Sequence, residues 1–202
     1  MIVSHKHKFI HFLPWKCGSS TAQRRFAKYN ESPYPDGSYF NKLLLKQSNK
    51  HIGLSDFLKL PEASLGYYKI SFVRNPYDRL YSGFLQRWQS VVVNGSQPNA
   101  PDSKIVPFGW SSWLKDYVVP RFLKDSSVFG RFCHEYTHYE GDKYVDFVGR
   151  IERMDSDTQK ICDRLGLSVD YSKVNNVKTS YKLTNPFGYK YIDKYSAEQI
   201  EI

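Results

Sequence analysis

A lysine, a glycine and three hydroxyl side chains stand together in one short segment, Lys16-Cys17-Gly18-Ser19-Ser20-Thr21. The apolar run at residues 9–13 before it is typical of a buried parallel strand, and residues 22–28 after it favour a helix. Hydroxyls and backbone N–H groups at the start of a helix can bind an anion such as a phosphate. The same hydroxyls could instead cap an ordinary helix after a core strand, and this segment alone leaves both interpretations open.

Arg74 and Ser82 are a second pair of residues suited to phosphate binding. Residues 67–73 have the composition of a strand, and Pro76 suits the first turn of a helix that we predict from residue 77 to about residue 92. A guanidinium offers parallel donors to a phosphate, and a serine hydroxyl can add a further hydrogen bond. In the alternative interpretation, the arginine ends a strand and the serine packs in a core.

These two strand–loop–helix units place cations where a strand gives way to a helix, at the edge where open parallel sheets bind ligands. Residues 145–150 predict a further strand, and residues 155–165 predict a helix that ends at Gly166. A chain of 202 residues is long enough for one domain with a full core. We therefore predict an α/β fold, a single domain over residues 1–202 with a central parallel sheet flanked by helices.

Residues 94–112 are rich in glycine, proline, asparagine and serine, and they lead into the aromatic residues Phe108, Trp110 and Trp113. A loop of this length often serves as a lid or a binding loop. We predict a substrate-facing segment here, with a plain surface insertion as the alternative.

The composition predicts an anionic partner, because the net charge is +9. A nucleotide, a polyanionic glycan, a nucleic acid and a membrane surface would all satisfy that charge. No stretch approaches the roughly 20 apolar residues of a membrane span. Three widely separated cysteines predict neither a disulfide framework nor a CxxC metal site and favour a reducing compartment. Because the first predicted strand leaves no room for a signal peptide, we expect a cytoplasmic protein, or a Golgi lumenal one if an N-terminal anchor has been removed.

Three motifs in order resemble the sulfotransferases that use 3′-phosphoadenosine 5′-phosphosulfate (PAPS). Residues 72–84, FVRNPYDRLYSGF, are similar to the 3′-phosphate motif of the membrane-type and bacterial members, F-x-R-[ND]-P-x-x-R-x-x-S-x-[YF]. Residues 16–21 resemble the 5′-phosphosulfate loop, although Trp15 separates the usual proline from the lysine. The loop is not a Walker loop, whose lysine follows the second glycine. Residues 145–157, VDFVGRIERMDSD, resemble a third element, a strand that ends in Gly-Arg-x-Glu before a helix.

The resemblance implies a sulfotransferase fold of the P-loop-NTPase-like kind, PAPS as the sulfate donor, 3′,5′-ADP as the product and no metal. It implies an acceptor hydroxyl, with a glycan favoured and no nucleic acid as partner. Lys16 would neutralise the bridging oxygen as the bond to sulfur breaks. Nucleotide binding would fall to the loop, the second motif and a late basic stretch: Lys16, Cys17, Gly18, Ser19, Ser20, Thr21, Arg74, Ser82, Lys178, Thr179 and Tyr181. Family members usually continue beyond the position of Ile202 through another helix, which leaves open whether this chain is short by nature or cut at this end.

His51 is our candidate for the general base. Histidine suits proton removal near neutral pH, and relatives such as heparan sulfate 2-O-sulfotransferase carry a catalytic histidine at nearly the same distance before the arginine of the second motif. An exposed loop histidine is the alternative.

Two other functions stay open. Residues 134–138, HEYTH, fit the zinc-peptidase pattern H-E-x-x-H, although Tyr144 stands where a metzincin has its third histidine. Such a site needs both histidines on one helical face. The basic charge also fits a non-enzymatic domain that binds polyanions, but such binding does not need paired loops at successive strand ends.

Overall fold

The computed structural model describes residues 1–31, 51–120 and 133–171. The chain forms two compact units. Among the described residues, the sheet unit comprises residues 1–31, 51–74 and 133–171, and the helical unit comprises residues 75–120. No helix in the described ranges is both long and apolar enough to cross a membrane.

The sheet unit contains the strands β1 (Ile2–Ser4), β2 (Phe9–Phe12), β3 (Tyr68–Val73), β4 (His138–Tyr139), β5 (Asp142–Lys143) and β6 (Phe147–Arg150). Four of them form one sheet of order β1-β2-β3-β6, and β4 pairs with β5 separately. β2, β3 and β6 are parallel, whereas β1 adds an antiparallel edge to β2. This mostly parallel sheet with packed helices confirms the predicted α/β fold. The short strand β1 was not predicted.

The α-helices with bounds inside the described ranges are α1 (Ser19–Arg25), α2 (Leu54–Phe57), α3 (Pro76–Trp88), α4 (Trp110–Trp113) and α5 (Met154–Leu165). Helix α3 begins where predicted because Pro76 fits its first turn and the Asn75 side chain accepts the N–H groups of Tyr77 and Asp78, at 3.0 and 3.3 Å. Helix α5 ends at Gly166, whose φ of +63° forms a left-handed cap. Local residues therefore determine the start of α3, through Asn75 and Pro76, and the end of α5, through Gly166.

The core of the sheet unit covers both faces of β2. Ile10 and Phe12 pack with Phe57 on one face, whereas Phe9 packs with Phe26 on the other. Alternate residues of a strand point to opposite faces, so a strand buried on both sides is mostly apolar, and β2 is apolar except at His11. This explains why the run at residues 9–13 predicts an interior strand.

The helical unit has its own aromatic core, formed by residues of α3 and α4. Trp113 is fully buried against Phe84, with ring centroids 5.6 Å apart. The Asp102 carboxylate is 2% exposed and accepts hydrogen bonds from the Arg87 guanidinium and from the Trp113 indole at 2.9 Å. Segment 94–112 is therefore anchored to the core by Asp102.

The aromatic end of segment 94–112 differs from the predicted substrate-facing arrangement. Trp110 and Trp113 are buried in the core of the helical unit, whereas Phe108 is 78% exposed. Periodicity could not distinguish these roles, because Trp110 and Trp113 lie in the short helix α4, whose side chains pack inward only in the folded unit.

Candidate active site

The loop after β2 is a tight turn with Lys16 in a conformation that side chains rarely adopt. The Cys17 N–H donates to the Pro14 carbonyl at 3.3 Å, which closes a four-residue turn with Trp15 and Lys16 in its middle. Lys16 has a φ of +61°, at a turn position where glycine or asparagine is usual. Such a backbone costs on the order of 1–3 kcal/mol and persists only where the surroundings fix it. The loop therefore holds Lys16 in place, with 9% of the residue exposed.

Trp15, the residue by which this loop departs from the family pattern, occupies the second position of the turn. Its ring lies under the Lys16 ammonium, with 5.9 Å from Nζ to the ring centroid. A cation over an indole face gains roughly 0.5–1 kcal/mol or more. The extra residue thus both completes the turn and contacts the lysine that follows it.

Gly18 is the residue that precedes α1, with a φ of +73°. A Cβ atom on Gly18 would lie 2.4 Å from Cδ1 of Ile151 and 3.2 Å from Sδ of Met154. The loop therefore packs directly against the start of the third motif, and only glycine fits. Gly18 occupies the N-cap position of α1. Ser19, Ser20 and Thr21 therefore lie inside the first turn of the helix and do not cap it.

Arg74 lies directly after β3 and contacts the same loop. Its Nη1 donates to the Lys16 carbonyl at 3.4 Å. Phe12 and Ser71 are register partners near the ends of parallel β2 and β3, so the two loops leave the sheet side by side. The cations of the first two motifs are thus brought to one edge of the sheet.

His51 is also fixed at this edge. Its Nδ1 is 2.5 Å from the carbonyl oxygen of Leu13, the residue after β2. A carbonyl only accepts, so Nδ1 carries the hydrogen and the lone pair of the neutral ring is on Nε2. The Tyr136 hydroxyl donates to the His51 carbonyl at 3.1 Å. Sequence reasoning missed Tyr136, because nothing local indicates a contact across 85 residues.

The remaining nucleotide-binding candidates outside α1 are Ser82, Cys17 and the late basic stretch. Ser82 is buried within α3 of the helical unit, whereas Arg74 ends the sheet unit. Lys178, Thr179 and Tyr181 lie outside the described residues. Cys17 is 2% exposed within the loop.

The third motif has clear structural reasons for its residue types. A Cβ on Gly149 would lie 2.5 Å from Cε1 of Phe72 in the neighbouring strand, so β6 needs glycine there. The Asp157 carboxylate accepts the Arg150 N–H at 2.9 Å and fixes the turn from β6 to α5. Burial acts to raise the pKa of Asp157, but this hydrogen bond, a second one from Lys160 and nearby positive charge outweigh it and lower the pKa. Asp157 was not among the functional residues predicted from the sequence.

The HEYTH segment does not form the helix of a zinc peptidase. Cys133–Tyr136 is a 3-10 turn, and His138 begins β4. The His138 ring bonds through Nδ1 to the Thr137 hydroxyl at 2.8 Å. The two histidines therefore do not share a helical face. Within the described ranges, no three His, Cys, Asp or Glu side chains gather as a metal site would require.

The model of a family described as the sulfotransferase family matches residues 1–199. No curated protein and no solved structure matches the chain. The family match extends over both compact units and includes all three motifs.

Proposed function

The chain belongs to the sulfotransferase family, an enzyme family that transfers a sulfuryl group to a hydroxyl, and we propose that this chain takes that group from PAPS and passes it to a glycan. The observation that best supports the proposal is the Arg74–Lys16 contact at 3.4 Å. It joins the arginine of a 3′-phosphate motif to the lysine of a 5′-phosphosulfate loop at one sheet edge. A nucleotide that carries a 3′-phosphate and a 5′-phosphate is a ligand that would use both Arg74 and the loop of Lys16.

His51 is the proposed general base. Because its Nδ1 hydrogen is directed to the Leu13 carbonyl, Nε2 is the atom that would take the proton of the acceptor hydroxyl. The acceptor oxygen then forms a bond to sulfur while the bond from sulfur to the bridging phosphate oxygen breaks. Positioned bases of this kind contribute about 10²- to 10⁴-fold to rate.

Lys16 is the proposed electrostatic stabiliser of the leaving group. Negative charge grows on the bridging oxygen as the bond to sulfur breaks, and a fixed ammonium beside it lowers the barrier. The burial of Lys16 and the contact of its ammonium with the Trp15 ring support this role, because a cation already held in place needs little reorganisation during the reaction. The step is mainly positioning and electrostatics, as in phosphoryl transfer.

The phosphates of the nucleotide are assigned to separate groups of residues. Arg74 is our proposed ligand of the 3′-phosphate, and Ser82 is a candidate for the same phosphate through the family resemblance alone. The loop is our proposed ligand of the 5′-phosphate, with residues Lys16, Cys17, Gly18, Ser19, Ser20 and Thr21. Lys178, Thr179 and Tyr181 are further nucleotide-binding candidates through the same resemblance. The reaction as proposed needs no metal.

The glycan acceptor is supported by the net charge of +9, which suits an anionic polysaccharide, and by the resemblance of the second motif to carbohydrate sulfotransferases. Small alcohols, lipids and protein tyrosines are the competing acceptors. Transfer of labelled sulfate from PAPS to a panel of these classes would identify the acceptor. Sulfation confined to tyrosine peptides would overturn the glycan assignment.

Calorimetric titration with 3′,5′-ADP and 5′-ADP, each with and without a zinc chelator, tests the donor. We expect 3′,5′-ADP to bind much more tightly than 5′-ADP and the chelator to have no effect. Equal affinity for the two nucleotides would remove PAPS as the donor. Steeply salt-dependent binding to any long polyanion, with no preference for the 3′-phosphate, would favour a polyanion-binding domain.

A further inference from the structure

Two cysteines far apart in sequence meet in the sheet unit. The Sγ atoms of Cys17 and Cys133 are 3.6 Å apart, although 116 residues separate them. All three cysteines of the chain are thiols in this structure. Cys17 lies in the loop between Lys16 and Gly18, and Cys133 starts the 3-10 turn Cys133–Tyr136. The number and spacing of the cysteines in the sequence gave no sign of this pair.

We propose that Cys17 and Cys133 are a redox-active pair whose reversible disulfide controls the conformation of loop 16–21. A disulfide bond is about 2.05 Å long, so the two sulfur atoms at 3.6 Å must approach by only about 1.5 Å. Side-chain rotation with a small backbone shift can supply such a movement. The pair is therefore close enough to react and is not yet bonded.

The chemistry is thiol–disulfide exchange with a low-molecular-weight disulfide such as oxidised glutathione. Cys133 is half-buried whereas Cys17 is 2% exposed, so Cys133 is the thiol that an external disulfide reaches first. The Cys133 thiolate attacks one sulfur of the disulfide, forms a mixed disulfide and releases one glutathione thiolate. The Cys17 thiolate then attacks the Cys133 sulfur, forms the Cys17–Cys133 bond and releases the second. The two cysteines lose two protons and two electrons, and these reduce the oxidant to two thiols.

The loop has little tolerance for such a movement. Cys17 stands between Lys16 and Gly18, both of which have positive φ, and Gly18 already packs against Ile151. Moving the Cys17 side chain toward Cys133 must therefore disturb the turn that holds Lys16. On the other side of the bond, Tyr136 in the turn of Cys133 donates to the His51 carbonyl. The disulfide thus links the segment that holds Lys16 to the segment that holds His51.

The consequence for activity rests on the proposed function, whereas formation of the disulfide does not. If Lys16 and loop 16–21 bind the nucleotide, the oxidised protein should bind 3′,5′-ADP about 5- to 150-fold more weakly than the reduced protein, the usual range of coupling between two sites. The protein would then transfer sulfate more efficiently when Cys17 and Cys133 are reduced than when they are joined, at nucleotide concentrations near the dissociation constant.

Cys162 provides the internal control. It is buried in α5, and burial raises the pKa of its thiol, which disfavours the reactive thiolate. Cys162→Ala should therefore leave oxidation of the pair unchanged. Cys133→Ser removes the thiol that reacts first and should prevent the disulfide without loss of basal activity.

The test equilibrates the full chain in glutathione buffers of graded potential and maps disulfides by mass spectrometry of unreduced digests. We expect one peptide pair that joins Cys17 to Cys133, which disappears on reduction, persists in Cys162→Ala and is absent in Cys133→Ser. Hydrogen exchange of residues 16–21 should differ between the oxidised and reduced forms. A stable glutathione adduct on Cys133, a bond to Cys162 or unchanged exchange of the loop would overturn the proposal.

Nucleotide binding is then measured separately in the oxidised and reduced forms. Weaker 3′,5′-ADP binding after oxidation in the original chain, but not in Cys133→Ser, supports the switch. Unchanged binding in an oxidised sample with a mapped disulfide overturns control of the site. Reduced protein that shows no preference for the 3′-phosphate contradicts the proposed function instead and leaves the mapped disulfide standing.

Discussion

The guanidinium of Arg74 donates a hydrogen bond to the backbone carbonyl of Lys16, across 58 residues of sequence. The contact uses only one of the five N–H donors of the arginine, so the side chain has capacity for a phosphate as well. It also fixes the guanidinium beside the loop that carries the lysine. A nucleotide bound at this edge of the sheet would therefore meet both cations in one arrangement.

Arg74→Ala should weaken binding of 3′,5′-ADP by roughly 10- to 100-fold, because a charge-assisted bond to phosphate contributes about 1.5–3 kcal/mol. Its effect on 5′-ADP should be small, since that ligand lacks the 3′-phosphate. Titration calorimetry with both nucleotides measures the difference. An equal loss for the two ligands would mean that Arg74 acts on the loop through the Lys16 carbonyl rather than on the 3′-phosphate.

Lys16→Ala is the matched comparison for Arg74→Ala. It should slow sulfuryl transfer by roughly 10²- to 10³-fold, because its charge acts mainly in the transition state. Binding of 3′,5′-ADP should change less than in Arg74→Ala. If both variants lose binding and rate to the same extent, the division of roles between the two cations is wrong.

His51→Asn should lower the rate of transfer by about 10²- to 10⁴-fold, the contribution of a positioned general base. Binding of 3′,5′-ADP should be retained. In the parent enzyme the rate should fall toward acid pH as the base becomes protonated, and this acid limb should be absent in His51→Asn. Steady-state kinetics over a range of pH measure both effects.

His134→Asn is the control for His51→Asn, because His134 is exposed in the 3-10 turn of the HEYTH segment. We expect near-normal turnover from this variant. Loss of activity in His134→Asn that zinc addition restores would revive a role for metal. Near-normal turnover of His51→Asn would assign the base to another residue.

Local patterns predicted the elements that place the site. The apolar run at residues 9–13, Pro76 after Arg74 and Gly166 after the last helix are signals that act within a few residues. They gave β2, the start of α3 and the end of α5. The resemblance of three motifs, at residues 16–21, 72–84 and 145–157, predicted the sulfotransferase family, which the family match confirms.

Contacts between distant segments could not be predicted in the same way. The bond from His51 to the Leu13 carbonyl and the meeting of Cys17 with Cys133 depend on how the segments pack in three dimensions. The positive φ of Lys16 was also unpredictable, because lysine has no intrinsic preference for it. Local propensity therefore predicts the strands and helices that carry the site residues, whereas the contacts between those residues depend on tertiary packing.

Gly18→Ala should destabilise the sheet unit and weaken 3′,5′-ADP binding. The left-handed backbone alone costs alanine about 1–2 kcal/mol, and the new Cβ would lie 2.4 Å from Cδ1 of Ile151. We expect a total loss of about 2–5 kcal/mol, since overpacking adds about 1–3 kcal/mol. Denaturant unfolding measures this loss.

Gly166→Ala is the matched control for Gly18→Ala. Gly166 has a similar φ of +63°, but nothing lies within 4 Å of a Cβ built there. The difference between the two variants isolates the steric clash. Adding Ile151→Val to Gly18→Ala removes the clashing methyl group and should recover that difference. Equal destabilisation by both single glycine variants would show that the contact with Ile151 is not limiting.

Asp102→Ala should destabilise the helical unit by about 3–5 kcal/mol, the cost of leaving one member of a buried ion pair alone. It removes the acceptor of both the Arg87 guanidinium and the Trp113 indole. Thermal unfolding followed by tryptophan fluorescence should report the loss, because Trp113 is fully buried. Asp116→Ala, at an exposed position in the same unit, should have little effect. Equal effects of the two variants would contradict the anchoring role of Asp102.

His11→Leu should make stability less dependent on pH between about pH 6.5 and pH 3. The ring of His11 is buried between Phe26 and Phe72, with centroids 5.4 and 5.5 Å away, and its Nδ1 has no hydrogen-bond partner among the described residues. Burial, helped by the positive charge of the N-terminal amine, lowers the pKa of His11 from 6.5 to about 3.

Because this pKa is lower in the folded chain, the unfolded chain binds more protons below pH 6.5. The free energy of unfolding therefore falls as the pH decreases from 6.5 to about 3, by up to about 5 kcal/mol for this group. Denaturant unfolding at several pH values should show a shallower slope for His11→Leu than for the parent chain. An unaltered slope in His11→Leu would show that carboxylates such as Asp157, and not the buried imidazole, govern the acid sensitivity of the sheet unit.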